Sequence, residues 1–141
     1  MSKTQKTWLV LTAIFQLLTF ALHSTSLMVK PMPQNDTEKQ LIGLMTNYQM
    51  DMGAGFHPTM FSILTSFSIS LSLLLLLSGW ITIVLVRTKE VNKLARQIMT
   101  AQLFIFTACF ATMWALTFIV PTVCVGLIAA GCLGSWLALR A

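Results

Sequence analysis

The two histidines are the side chains in this sequence best suited to binding a metal ion or haem. His23 lies near the end of the first apolar segment, and His57 lies just before the second. Neutral imidazole is a common ligand of haem iron and of copper, and thioether sulfur favours Cu(I). Most of the methionines lie in the same part of the chain, namely Met28, Met32, Met45, Met50, Met52 and Met60. A haem or copper site using His23 and His57 is therefore one hypothesis.

Plain packing accounts for the same residues. Methionine fills irregular apolar gaps, and an imidazole beside hydroxyl groups can simply form hydrogen bonds. Two histidines at an unfixed distance match no metal-ligand spacing. The sequence also contains no HExxH, GxSxG, CxxC or phosphate-binding glycine motif. We therefore expect a non-enzymatic protein with no resident cofactor or metal, and keep the two histidines as candidate ligands.

Composition places these residues in a membrane protein. The 141-residue chain is 56% hydrophobic and 9% charged, with a mean hydropathy of +0.79, whereas a soluble domain has about 25% charged residues. A helix needs about 20 apolar residues to cross the hydrocarbon core. Uncharged runs of that length predict spans at about residues 8–29, 59–86, 97–120 and 121–139. The predicted fold is a single all-α domain, residues 1–141, forming a four-helix transmembrane bundle with a short exoplasmic surface helix in its first loop.

Basic residues predict the orientation of the bundle. If the chain crosses four times, seven cations flank the spans on one side: Lys3, Lys6, Arg87, Lys89, Lys93, Arg96 and Arg140. Lys30 and Lys39 share the opposite loop with three acidic residues. Cytoplasmic loops are enriched in Lys and Arg, so both termini are predicted to be cytoplasmic. We therefore attribute the net charge of +5 to contact with the membrane surface and not to nucleic-acid binding.

Hydroxyl and amide side chains predict a pocket on the exoplasmic side. In the first span, polar residues recur every three or four positions from Thr12 to Ser26, which places them on one helix face. The outer half of the second span is rich in serine and threonine. Polar groups within a membrane normally face the bundle interior. The predicted pocket combines His23 and His57 with Gln16, Thr19, Ser62, Thr65 and Ser66.

The last span carries a regular row of small residues. Gly126, Ala130, Gly134 and Ala138 are spaced four apart and share one helix face. Such a face lets two helix backbones approach closely in a membrane. Its partner could be the third span, another copy of the chain or a different subunit. Because only Pro121 separates the third and fourth spans, these two are predicted to form an antiparallel hairpin.

The first loop is predicted to contain the short surface helix. The segment from Lys30 to Pro33 ends the first span, since proline cannot continue a helix. Asn35 with Glu38, or Thr37 with Gln40, then matches a capping box, and apolar residues follow at amphipathic spacing.

Three features of the first 86 residues carry a family resemblance. These are Ala21-Leu22-His23-Ser24, then Met52-Gly53-Ala54-Gly55, and a long second span that opens with Phe61 and is rich in Ser and Leu. Together they resemble a group of small, uncharacterised four-helix bacterial membrane proteins, although the histidine departs from the group, which tends to have glycine beside it. The resemblance implies a bacterial inner-membrane location and transfers no activity.

The sequence favours a small accessory or assembly subunit that packs in the lipid bilayer against other membrane subunits or forms a homo-oligomer. The alternative is a haem- or copper-binding redox or ligand-binding protein, and a third possibility is a channel or lipid-handling protein. A proton-coupled carrier is disfavoured because no predicted span contains Asp or Glu.

Overall fold

A computed structural model describes residues 1–29, 31–87 and 93–140, which form five α-helices. They are α1 (Lys3–Ser26), α2 (Asp36–Asn47), α3 (Met60–Arg87), α4 (Lys93–Leu116) and α5 (Ile119–Ala138). All but α2 are long and apolar enough to cross a membrane. The prediction of an all-helical chain with four such helices is confirmed. Lys30 and residues 88–92, which include the cation Lys89, lie outside the described residues.

The chain divides into two compact units. The first comprises residues 1–21 and 74–141, and the second comprises residues 22–73. The first unit therefore contains most of α1, the second half of α3, and all of α4 and α5. The second contains the end of α1, all of α2 and the beginning of α3.

In the first unit, α4 and α5 are joined by a very short turn. Phe118 has the extended backbone of a helix N-cap, with φ −93° and ψ 172°. Its side chain cannot cap the helix, but the Thr122 hydroxyl donates to the Phe118 carbonyl at 3.0 Å. The helix begins at Ile119, two residues before the predicted start at Pro121. Proline is tolerated there because N–H groups in the first turn have no partner within the helix.

Glycines allow α5 to approach its neighbours. A Cβ on Gly131 would lie 3.2 Å from the Thr12 Cα of α1, and a Cβ on Gly134 would overlap the Trp8 indole. A Cβ on Gly126 would lie 3.0 Å from the Phe110 ring of α4. The side chains of Leu9, Met99, Ile128 and Cys132 are fully buried in this unit.

In the second unit, α2 begins with a side-chain cap. The Asn35 Oδ1 accepts a hydrogen bond from the Glu38 backbone N–H at 2.8 Å. Glu38 reaches back to the Gln34 backbone N–H at 2.6 Å, one residue earlier than in a standard capping box. Both bonds fix the start of α2 at the position that the sequence indicated.

A tight loop connects α2 to α3. Met50 N–H donates to the Pro58 carbonyl at 2.9 Å, and Met52 N–H donates to the Phe56 carbonyl at 3.0 Å. At the tip, Gly53 and Gly55 have φ of +78° and +79°, a conformation that glycine adopts without strain. The Thr59 hydroxyl then accepts a hydrogen bond from the Ser62 backbone N–H at 3.2 Å and caps α3, which begins at Met60.

Substitution of Gly134 tests the approach of α5 to α1. We expect Gly134→Ala to lower the thermal unfolding midpoint, because the new methyl group must displace the Trp8 indole; overpacking of this kind costs about 1–3 kcal/mol. Gly43→Ala in α2 is the matched control, since a Cβ there meets nothing within 4 Å. A Gly134→Ala midpoint equal to that of wild type would contradict the packing described here.

Candidate functional site

The interior of the first unit contains several polar side chains among its apolar ones, whereas many large apolar side chains are exposed on its surface. Gln16, Thr82 and Ser135 are completely buried, and Gln102 is 8% exposed. Large apolar side chains face outward in the same unit. Examples are Ile14, Leu77, Phe104, Trp114 and Leu127. A water-soluble protein instead exposes most of its amide side chains and buries most of its large apolar ones.

A hydrogen-bonded cluster connects α1, α3 and α4. We call Gln16, Ser78, Thr82, Gln102 and Cys132 the central polar cluster. The Gln16 amide nitrogen donates to the Ser78 hydroxyl and to the Gln102 carbonyl oxygen, both at 2.9 Å. The Thr82 hydroxyl lies 2.8 Å from the Gln16 carbonyl oxygen, to which it can donate. Gln16 therefore uses both ends of its amide on neighbouring helices.

The fifth member brings α5 to the same cluster. The Cys132 thiol lies 3.9 Å from the Gln102 carbonyl oxygen, within reach of a weak S–H hydrogen bond. One turn away, the Thr12 and Ser135 hydroxyls are 2.9 Å apart and form a second polar link between α1 and α5. All four helices of the first unit are thus joined through buried polar side chains.

Helical spacing places these side chains inward. In α4 the buried residues are Ala95, Met99, Gln102 and Phe106, which follow steps of four, three and four. Ser78 and Thr82 are four apart in α3 and therefore share a face. Gln16 was predicted from the sequence as a pocket residue, whereas Gln102, Thr82 and the Thr12–Ser135 pair were not. The available signal was an amide within each of two predicted spans, Gln16 and Gln102, since each buried amide needs a partner.

Residues of the predicted exoplasmic pocket lie in both units. Gln16 and Thr19 belong to the first unit and are buried there. Ser62 and Ser66 are exposed on α3 in the second unit, and both hydroxyls donate to carbonyls of their own helix region, at 2.8 and 2.9 Å. Thr65 is partly buried and donates to the Phe61 carbonyl at 2.8 Å. Each hydroxyl thus has a local partner.

The two histidines lie in the second unit in different surroundings. His23 is half-buried, and its Nε2 lies 3.2 Å from the Ser68 backbone carbonyl. Because a carbonyl only accepts, Nε2 must carry the proton, which leaves Nδ1 as the nitrogen with a lone pair in neutral imidazole. His57 is exposed in the loop before α3. Among residues 1–29, 31–87 and 93–140, no group of three His, Cys, Asp or Glu side chains could hold a metal ion.

The second unit contains a groove of about 260 Å³, which we call the α2 groove. Its lining combines the end of α1 with α2 and the first turns of α3. The residues are Ser26, Leu27, Val29, Pro31, Ile42, Met45, Thr46, Phe61, Leu64, Thr65 and Ser68. None is charged, and the hydroxyls of Ser26, Thr46 and Thr65 donate to nearby backbone carbonyls. The groove has the character of a surface for apolar groups.

Members of the small-residue row on α5 have different surroundings. Gly126 faces the Phe110 ring of α4, and Gly134 faces the Trp8 indole of α1. Ala130 is exposed, and Ala138 is partly buried. The two glycines are thus occupied by aromatic side chains of the same chain, whereas Ala130 is open.

A second row of mostly small residues is exposed on α4. We call Ala101, Ile105, Ala108, Thr112 and Ala115 the α4 stripe. They follow steps of four, three, four and three, which place them on one helix face, and all five are exposed. Among the 18 most apolar consecutive residues of each helix, 17% are buried in α4, compared with 39% in α5. Thus α4, the least buried of the four long helices, exposes a face suited to close packing against another helix.

No family model, curated protein or solved structure matches the chain. The chemical character of the site therefore rests on its geometry. The central polar cluster joins neutral amides and hydroxyls that donate and accept hydrogen bonds, an arrangement that fixes helix positions.

Paired substitution tests the central polar cluster. We expect Gln16→Leu to lower the free energy of unfolding by about 1–3 kcal/mol, because it leaves buried polar groups without partners. The double variant Gln16→Leu/Gln102→Leu should be less destabilised than the sum of the single variants. Chemical unfolding in a mild detergent measures all three.

Thr112→Val is the control for that cycle. Thr112 is exposed, and its hydroxyl donates to the Ala108 carbonyl of its own helix at 3.0 Å. Loss of this bond leaves the contacts between helices intact, so we expect little change. Strict additivity of the two Gln substitutions would show that the amides do not interact.

Proposed function

We propose that the chain is an integral membrane protein whose four long helices span the bilayer, with α2 lying on the exoplasmic surface. The outward-facing apolar side chains support this proposal, since Phe104 is 76% exposed and Trp114 is 70% exposed. In water such surfaces would aggregate, whereas in lipid they match their solvent. Buried amides and hydroxyls also fit this setting, because hydrocarbon offers polar groups no alternative partner.

The distribution of charge supports an orientation with both termini in the cytoplasm. Lys3 and Lys6 begin α1, Arg87 ends α3, and Lys93 and Arg96 begin α4. Three of the four acidic residues, Asp36, Glu38 and Asp51, belong instead to the segment containing α2, and the fourth, Glu90, lies in sequence between α3 and α4. This asymmetry fits the enrichment of basic residues in cytoplasmic loops. With the resemblance to small bacterial membrane proteins, it supports placement in the bacterial inner membrane.

In this membrane the protein acts as a non-enzymatic accessory or assembly subunit. The exposed α4 stripe carries this proposal. Small side chains allow a second helix to approach the α4 backbone closely, so dispersion and weak hydrogen bonds can replace the hydrophobic effect that lipid removes. The stripe is uncharged along about four helical turns, from Ala101 to Ala115. The partner that fits is an apolar membrane-spanning helix of another subunit.

A bulky substitution on the α4 stripe tests the proposed function. The protein is purified in mild detergent from its native membrane, and associated subunits are quantified by mass spectrometry. We expect Ala108→Leu to reduce recovery of the partner about tenfold, the change produced by about 1.4 kcal/mol of lost association energy. The reason is that the added side chain separates the two helix backbones.

Ala130→Leu is the matched control, because Ala130 is an exposed alanine on α5, outside the α4 stripe. It should retain the partner. A wild-type protein that purifies as a lone monomer would contradict the subunit proposal. Equal loss of the partner in both variants would refute the assignment to α4, and a complex of this chain alone would show self-association in place of a different subunit.

A further inference from the structure

An aromatic side chain organises the start of α4 and the end of α5. The Trp136 indole N–H donates to the Thr100 hydroxyl at 3.0 Å. The Thr100 hydroxyl in turn donates to the Arg96 backbone carbonyl at 2.8 Å, which leaves its lone pairs free to accept the indole bond. Trp136 therefore has a fixed position beside α4.

Arg140 lies over the same indole. Its guanidinium carbon is 3.6 Å from the centroid of the Trp136 ring. A cation over an aromatic face is attracted by the ring quadrupole. The N–H groups at the edge of the guanidinium remain suitable for bidentate bonds to phosphate.

Two more cations lie near this arrangement. Lys93, Arg96 and Thr100 follow steps of three and four along α4 and share one helix face. Since Thr100 contacts Trp136, the cations of α4 lie on the face of that helix that meets the end of α5. We call Lys93, Arg96, Trp136 and Arg140 the basic end. All three cations are exposed.

The described part of the first unit contains no acidic side chain to pair with the basic end. In residues 1–21, 74–87 and 93–140 there is no Asp or Glu. Exposed apolar side chains adjoin the cations: Leu94 follows Lys93 directly, and Leu133 and Leu137 are four apart on α5 beside Trp136. Cations next to apolar helix surface match a molecule that joins a phosphate to hydrocarbon chains.

We propose that the basic end binds the phosphate group of an anionic phospholipid of the cytoplasmic leaflet, whose acyl chains lie along the exposed leucines. Basic pockets between membrane helices on the cytoplasmic side recognise such headgroups. Arg140, held over Trp136, and Arg96 contact the phosphate oxygens, and Lys93 adds a third positive charge. The inference rests on the proposed membrane insertion and is independent of a partner helix.

Lipid competition in nanodiscs tests this inference. The full chain is reconstituted in phosphatidylcholine discs, and retained lipid is measured by native mass spectrometry as phosphatidylglycerol is added. We expect wild type to retain phosphatidylglycerol at least about tenfold more than phosphatidylcholine. Arg96→Gln/Arg140→Gln should abolish this preference. Lys39→Gln is the control, since Lys39 is an exposed cation of α2.

A second variant distinguishes charge from geometry. Arg140→Lys keeps the charge but not the planar fork, so we expect it to retain only part of the preference. Equal retention of the two lipids by wild type, or an equal loss in Lys39→Gln, would overturn the proposal. Displacement of the lipid by inorganic phosphate at millimolar concentration would reassign the basic end to free anions. A chain that does not enter the discs would instead refute membrane insertion.

Discussion

The hydrogen bonds between Gln16, Thr82 and Gln102 are the constraint on which the first unit depends. An amide buried without a partner loses the hydrogen bonds that water would provide, so α1, α3 and α4 must meet at the register where these side chains meet. In the proposed lipid setting, hydrophobic side chains alone would not impose that register, because a leucine gains little by exchanging an acyl chain for another leucine. Polar contacts between helices, together with close packing at Gly131 and Gly134 of α5, determine the helix register instead.

This arrangement explains why the outside of the helices is apolar and only partly covered. Once the polar groups are paired within the first unit, the remaining apolar surfaces suit the lipid environment that we propose. Two regions depart from a uniformly apolar surface: the α4 stripe, where mostly small side chains are exposed in a row, and the basic end, where the Arg140 guanidinium lies over the Trp136 ring. In the proposed membrane arrangement, the α4 stripe lies within the bilayer and suits a helix, and the basic end lies among the cytoplasmic headgroups.

Much of the fold could be predicted from the sequence, because long uncharged runs and proline breaks are local signals. The existence of the four long helices, the short helix α2 and its Asn35 cap followed from those signals. The candidate site was harder to predict from the sequence. Gln16 belonged to a visible polar stripe, but its partners Thr82 and Gln102 are distant in sequence, and hydroxyls in a helix commonly bond their own backbone, as Ser62 and Ser66 do. The small residues of α5 were visible as a row, whereas only the structure revealed the aromatic rings facing Gly126 and Gly134.

The most direct test of the account is the sidedness of its lysines in intact cells. A membrane-impermeant amine reagent is applied before and after permeabilisation, and modified peptides of the unaltered protein are identified by mass spectrometry. Lys39 and Lys93 are both exposed, so each can react when the reagent reaches its side. The account predicts that Lys39 is modified in intact cells and that Lys93 is modified only after permeabilisation. Modification of both lysines from the same side would contradict the four-span arrangement.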